Sequence, residues 1–175
     1  KTIFSVVRYG NVMGSRGSII PLFVSLKNNR ELPITDERMT RFMISLEEGV
    51  ELVWKAFHDM LGGEIYVKKI PSMKITEIAK IIAPKAKLKI IGIRPGEKLH
   101  EQMIGLEDTN YTYEYKKYFK ILSQINDQNK DIDYIKTGNK VSKNFIYSSD
   151  NNTEWMTQAK FKNWLNLNKE YLGKL

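Results

Sequence analysis

Short apolar runs of strand character alternate along this chain with segments whose apolar residues recur at helical spacing. Such alternation implies an α/β layer architecture, because each helix must bury its stripe against a sheet. Ile3, Val6 and Val7 read as a buried strand over residues 3–8. Residues 19–28 follow as a helix, with Ser18 as its N-cap and Pro21 in its first turn. Leu32-Pro33-Ile34-Thr35 reads as a short edge strand, where proline is tolerated, and Arg41-Phe42-Met43-Ile44 as another short strand. Ser45 caps the next helix, Glu47 and Glu48 fill its first turn, and Val50, Val53, Trp54 and Phe57 form its apolar stripe. Gly62-Gly63 ends that helix. A strand over 64–70, a helix over 74–83 and a strand over 88–93 come next. Arg94-Pro95-Gly96-Glu97 breaks the last strand and launches a helix to about residue 104. Residues 110–122 carry alternating aromatics and read as a strand or hairpin, 123–145 as a polar mobile loop, and Trp155, Phe161, Trp164 and Leu165 as part of a final helix.

The 175 residues fit one domain, and a chain of this size can fold without a disulfide or metal. There is no cysteine, which removes disulfides, thiolate nucleophiles, zinc fingers and iron–sulfur ligation, and suits a reducing compartment. His58 and His100 are far apart and lack a carboxylate pattern, so no metal site is expected. No apolar stretch reaches the ~18 residues of a spanning helix. The net charge is +8, yet the lysines are scattered and form no dense run with the six arginines, so nucleic acid is not the expected partner. Tyr111, Tyr113, Tyr115 and Tyr118 suggest a stacking surface, although such alternation more often marks a half-buried strand. The chain opens on Lys1 already close to a strand, and a piece of a longer protein is expected.

Three arginine-bearing segments carry the candidate chemistry. In Arg8-Tyr9-Gly10-Asn11-Val12-Met13-Gly14-Ser15-Arg16-Gly17-Ser18 a strand runs through a glycine-rich loop into a helix N-terminus, whose dipole and free N–H groups favour an anion. An ordinary capped turn explains the same residues. Arg38 and Arg41, three apart in Thr35-Asp36-Glu37-Arg38-Met39-Thr40-Arg41, can clamp a diphosphate or pair with Asp36 and Glu37 at the surface. Arg94 closes a strand before Pro95-Gly96, where it can hold phosphate bidentately or form a buried pair with Glu97 or Glu101. Gly10, Gly14 and Gly17 do not make a G-x-G-x-x-G cofactor loop, and no Walker A loop occurs.

Taken together, VRYGNVMGSRGSIIPLF, ITDERMTRFMISLEEGVELV, IGIRPGEKLHEQMI and YSSDNNTEW closely resemble the C-terminal half of inverting UDP-N-acetylglucosamine 4,6-dehydratases. These belong to the extended short-chain dehydrogenase/reductases and to the polysaccharide-biosynthesis group. The resemblance runs through most of residues 1–107, fades across 110–145 and returns at 147–155. It implies the C-terminal part of a Rossmann-type α/β fold with a smaller substrate-binding domain. Residues 1–30 would end the Rossmann-type domain and supply a substrate loop, 31–145 would form the substrate domain with its mobile segment near 123–145, and 146–175 the C-terminal motif and helix.

The resemblance further implies an NADP-dependent lyase reaction in the cytoplasm, in a homo-oligomeric parent, with a UDP-sugar as partner. Hydride leaves C4 of the sugar and returns to C6 after water is lost across C5–C6, and reprotonation inverts C5. The product resembles a precursor of pseudaminic acid or of capsular deoxysugars. The family's cofactor loop, Tyr-x-x-x-Lys pair and elimination residues are expected upstream of Lys1, so no catalytic residue carries over and the fragment alone is expected to be inactive. What carries over is substrate binding: Asn11 at the strand end, Ser15, Arg16, Gly17 and Ser18 beside the nucleotide, Arg41 and Arg94 on the diphosphate, and Asn151 and Asn152 in the closing motif. Tyr9 and Gly10 match the stretch that passes the nicotinamide. Another sugar-nucleotide epimerase or dehydratase, or a non-enzymatic polyanion-binding module, are the alternatives.

Overall fold

The computed structural model describes residues 2–123 and 135–172. Its main sheet has five strands in the order β1 (Val6–Arg8), β5 (Ile65–Lys68), β10 (Tyr118–Ile121), β9 (Thr112–Glu114) and β11 (Asn139–Lys140). β1 and β5 are parallel and the other pairings antiparallel. The aromatic stretch 110–122 is thus the hairpin β9–β10, preceded by a 3₁₀ turn over Leu106–Tyr111. β1 is an edge strand among the described residues, and it is shorter than the expected 3–8. Ile3 and Val6 are accordingly about half exposed (49% and 54%), not buried as their pattern suggests.

Helix α2 (Leu46–Asp59) packs on β1 and β5 and starts with a full capping box: Ser45 Oγ accepts from the Glu48 N–H, and the Glu48 carboxylate accepts from the Ser45 N–H. The face it buries is Gly49, Leu52, Ala56 and Asp59. The expected stripe of Val50, Val53, Trp54 and Phe57 instead faces outward. Helical spacing marks a stripe but not what covers it, and no described residue covers this one.

A three-stranded sheet joins β2 (Asn11–Val12) in parallel to β4 (Thr40–Ile44), which pairs antiparallel with β6 (Ser72–Lys74). A parallel pair, β3 (Glu31–Ile34) with β7 (Lys87–Ile90), lies under α1 (Ile19–Leu26) and α3 (Ile75–Ile82). Ile20, Phe23, Leu32, Ile34, Ile78 and Phe161 of α4 (Gln158–Leu167) form this core. Phe42, Val67, Ile70, Phe119 and Tyr147 form a second core beneath the main sheet. Ser18 does occupy the N-cap position of α1, with extended backbone, but its hydroxyl makes no capping bond.

Two expectations about 88–104 are corrected. β7 ends at Ile90, and Ile90, Ile91 and Ile93 are about half exposed. No helix follows Glu97. Residues Gln102–Ile104 are strand β8, paired antiparallel with β12 (Tyr147–Ser148). The Ser149 N–H donates to Glu101 O (2.7 Å) and the Thr40 N–H to Leu99 O (3.2 Å), so partners distant in sequence take the backbone bonds a helix would need. Of the expected mobile stretch, 124–134 lies outside the described residues, and the remainder includes β11. Helix α5 (Lys169–Leu172) follows α4. No helix among the described residues is long and apolar enough to cross a membrane, and they hold no group of His, Asp or Glu arranged to bind a metal.

Candidate functional site

The loop after β1 crosses directly over β4. Gly10 is required there, since a Cβ would collide with Phe42. Asn11 follows and lines two adjoining clefts. One, about 230 Å³, is bounded by Gly17, Thr35, Arg41, Arg94 and Glu97. The other, about 390 Å³, is bounded by Tyr9, Gly10, Lys98 and Glu101. Arg41 and Arg94 therefore share a cavity with the glycine-rich loop, although they come from segments more than 50 residues apart.

The two arginines differ in what they have left to give. Arg94 is exposed, and its guanidinium has no partner among the described residues. Its turn is shaped by Glu97, whose carboxylate accepts from the Arg94 N–H (3.2 Å) and from Thr35 Oγ1 (3.2 Å). Neither Glu97 nor Glu101 forms the buried pair with Arg94 that the sequence allows. Arg41 is largely buried and its donors are mostly committed, to Thr40 O (2.7 Å), Leu99 O (3.1 Å) and Lys98 O (2.9 Å), with Glu101 Oε1 at 3.7 Å from Nε. It fastens the 98–101 segment to β4 and lends the cleft its charge. The surface pairing the second segment permits is made by Arg38, on Asp36 (2.8 Å).

On the opposite wall Gly17 adopts a left-handed φ of +74° with open space at its Cβ position. Ser15 and Ser18 shape the turn through the Ser18 N–H to Ser15 O bond (3.1 Å). Ser18 Oγ is buried with no hydrogen-bond partner among the described residues. A buried orphan hydroxyl is uncommon, and here it sits at an uncapped helix N-terminus. Arg16 is exposed next to Gly17 but lines neither cleft. Asn151 and Asn152 are not brought to the clefts. Asn151 Oδ1 accepts from the Ser148 N–H (3.1 Å) and Asn152 Nδ2 donates to Ile70 O (2.8 Å), Ser72 Oγ and Glu154 O. Both hold the 147–155 turn together beside a separate cavity of about 190 Å³.

Glu101 is the residue the sequence pattern misses. It matters there only as a partner for Arg94, whereas in the fold it ties three segments. Its carboxylate accepts from the Phe42 N–H (2.9 Å) and faces Arg41, and the Asn11 amide, with its nitrogen turned toward Glu101, donates to both oxygens (2.5 and 3.0 Å). Burial pushes the Glu101 carboxyl above its ordinary range, against the pull of the Phe42 N–H and Arg41. Behind it, Thr40 Oγ1 bonds to His100 Nδ1 (2.8 Å) and Ser149 Oγ (2.7 Å). The spacing Tyr-x-x-x-Lys occurs once in the sequence, at Tyr113 and Lys117, but in the β9–β10 hairpin and outside both clefts lined by Asn11, where it does not stack the two groups as a helical turn would.

Residues 1–123 match the family model described as polysaccharide biosynthesis protein. The chain belongs to that family. It is 50% identical, over 95% of its length, to an inverting UDP-N-acetylglucosamine 4,6-dehydratase of Campylobacter jejuni, of which it covers 52%. It is 38% identical over 98% of its length to a UDP-glucose 4-epimerase of Rickettsia bellii, covering 51% of that protein. Among solved structures, Pen from Bacillus thuringiensis superposes with a TM-score of 0.79 at 29% identity, over 98% of this chain and 50% of that one. The family member described here spans about half the length of these relatives. Its mixed parallel and antiparallel α/β architecture is the one the sequence pattern implies.

Proposed function

We propose that this chain is the substrate-binding half of a C5-inverting UDP-N-acetylglucosamine 4,6-dehydratase, a lyase making a 4-keto-6-deoxy UDP-sugar for surface polysaccharide or flagellin glycan. The observation that carries the reading is the cleft in which Arg94, Arg41, Gly17 and Asn11 meet, beside the orphan hydroxyl of Ser18. A diphosphate there receives the free Arg94 guanidinium bidentately, the field of Arg41, and donors at the start of α1. Asn11, between the two clefts, would then face the sugar. The 50% identity to an inverting dehydratase, against 38% to a 4-epimerase, favours the dehydratase.

NADP fits the second cleft at its nicotinamide end. The Gly10 backbone lines it, and the half-exposed Tyr9 ring offers a flat wall. When bound, NADP supplies a hydride acceptor and donor, and Tyr9 and Gly10 would hold its ring edge. No residue of this chain is assigned a proton-transfer role. Such an enzyme would work in the cytoplasm, where UDP-sugars and NADP are made. Residues 1–30 would close its Rossmann-type half and 31–145 bind substrate, although β1 pairs with β5 across that boundary. The exposed stripe of α2 would be covered in a homo-oligomeric parent.

Calorimetric titration with UDP-N-acetylglucosamine tests the reading. Arg94→Ala should weaken binding about tenfold or more, the loss of a charge-assisted contact, while Arg30→Ala, outside both clefts, should not. Equal losses from the two changes would refute the assignment.

A further inference from the structure

Away from the Asn11 clefts, a third cavity of about 440 Å³ opens between α2 and the β9–β10 hairpin. Among the described residues its charge is unbalanced: Lys55, Lys68, Lys116 and Lys117 line it against one carboxylate, that of Glu51. Lys68 spends itself on Glu51 (3.3 Å), and Lys55 lies 3.8 Å from Asp59 beneath the cleft. Lys116 and Lys117 have no side-chain partner among the described residues. Asp59 is already saturated by Lys120 (2.5 Å) and Lys136 (2.8 Å), so it cannot neutralise the cavity above it. Gathering like charges in one cleft costs free energy unless an anion joins them.

The wall opposite the helix is ordered by aromatic contact. Tyr115 and Tyr118 stack with parallel rings at 4.6 Å, and Tyr115 OH donates to Ile135 O (2.5 Å). The Tyr118 hydroxyl makes no hydrogen bond among the described residues. Burial, with Asp59 nearby, pushes it up to about 12, so it stays a neutral donor at physiological pH. Glu51 and Lys55 lie on a flank of α2, between its buried face and the exposed stripe of Val50, Val53, Trp54 and Phe57.

We propose that this cleft is an anion site for a soluble ligand bearing pyrophosphate, held by Lys116, Lys117 and Lys55 with Tyr118 OH as a neutral donor. Lysines bind phosphate as point charges, and two adjacent ones on a hairpin turn beside a fixed hydroxyl suit two linked phosphates. None of these residues lines the clefts around Asn11, so occupancy there leaves this site available.

Titration of the isotopically labelled chain with inorganic pyrophosphate, followed by amide NMR, reads this site separately from the Arg94 cleft. The Lys116, Lys117 and Tyr118 amides should shift saturably, and Arg94→Ala should leave that curve unchanged. The double charge reversal Lys116→Glu/Lys117→Glu should weaken binding at least tenfold at Tyr115 and Tyr118. Lys160→Glu/Lys162→Glu, which removes the same charge from exposed positions on α4, should change it less than twofold. A non-saturating response, or equal weakening by the two reversals, would show bulk electrostatics and overturn the proposal. Co-sedimentation with phosphatidylglycerol vesicles, without any shift in soluble pyrophosphate, would overturn it in favour of a membrane headgroup.

Discussion

Replacing Asp59 by Asn should destabilise the chain by about 3 kcal/mol, the lower end of the cost of breaking a buried ion pair. The value follows from burial on both sides. Lys120 is 1% exposed and its Nζ lies 2.5 Å from Asp59 Oδ2. That same oxygen accepts from Tyr66 OH (3.1 Å), and the Lys120 ammonium lies over the Tyr66 ring at 5.2 Å. Asn still accepts one hydrogen bond but removes the carboxylate charge that lies against the buried ammonium. Lys136 and Lys55 are about half exposed and can turn to water, so they add little to the loss. Urea denaturation followed by tryptophan fluorescence gives the stability, with an unchanged m value showing that the unfolded state is the same. Adding Lys120→Met should recover about 2 kcal/mol of the loss, because the ammonium that faced Asp59 goes with it. The pH dependence has a definite sign. Burial raises the Asp59 carboxyl, but its hydrogen bonds to Lys120 and Lys136 outweigh that and hold it well below the usual carboxylate range. Its contribution is therefore complete above the unfolded value of about 4 and is lost as pH falls through the depressed folded value. Asp59→Asn should lack that acid-side loss. A neutral-pH cost under about 1 kcal/mol, or no recovery in the double variant, would refute a buried ion pair as the clamp between α2 and β10.

Glu101→Gln keeps an acceptor for the Phe42 N–H but removes the charge facing Arg41 and one acceptor for Asn11. UDP-N-acetylglucosamine binding should weaken several-fold with little change in urea midpoint. The wild type should show the same weakening on acidification at a pH above that of an ordinary Glu, since burial raises this carboxyl. A variant indistinguishable from wild type in binding would remove Glu101 from the site. Trp54→Ser with Phe57→Ser acts on exposed rings (58% and 60%), so folding stability should move by less than about 0.5 kcal/mol per site while self-association in light scattering falls. Unchanged association would mean that the stripe is not the sticky face.

The local elements were legible in the residues themselves. Ser45 and Glu48 announce the capping box of α2, and Pro21 and the alternating apolar residues mark α1 and β4, because these signals act between residues two to four apart. The three arginine segments were also visible, though not which guanidinium is free. Arg41 is committed and Arg94 is not because Leu99 and Lys98 fold back onto β4, a contact spanning more than 50 residues. Tertiary structure likewise turned 102–104 from an expected helix into a strand, since β12 offered it pairing from over 40 residues away. It put the apolar stripe of α2 outside and Asp59 inside, against Lys120 at a separation of 61 residues. Helical or strand periodicity records which side chains share a face. Which face meets a sheet, and which charge meets its counterion, depends on chain segments brought together only by folding.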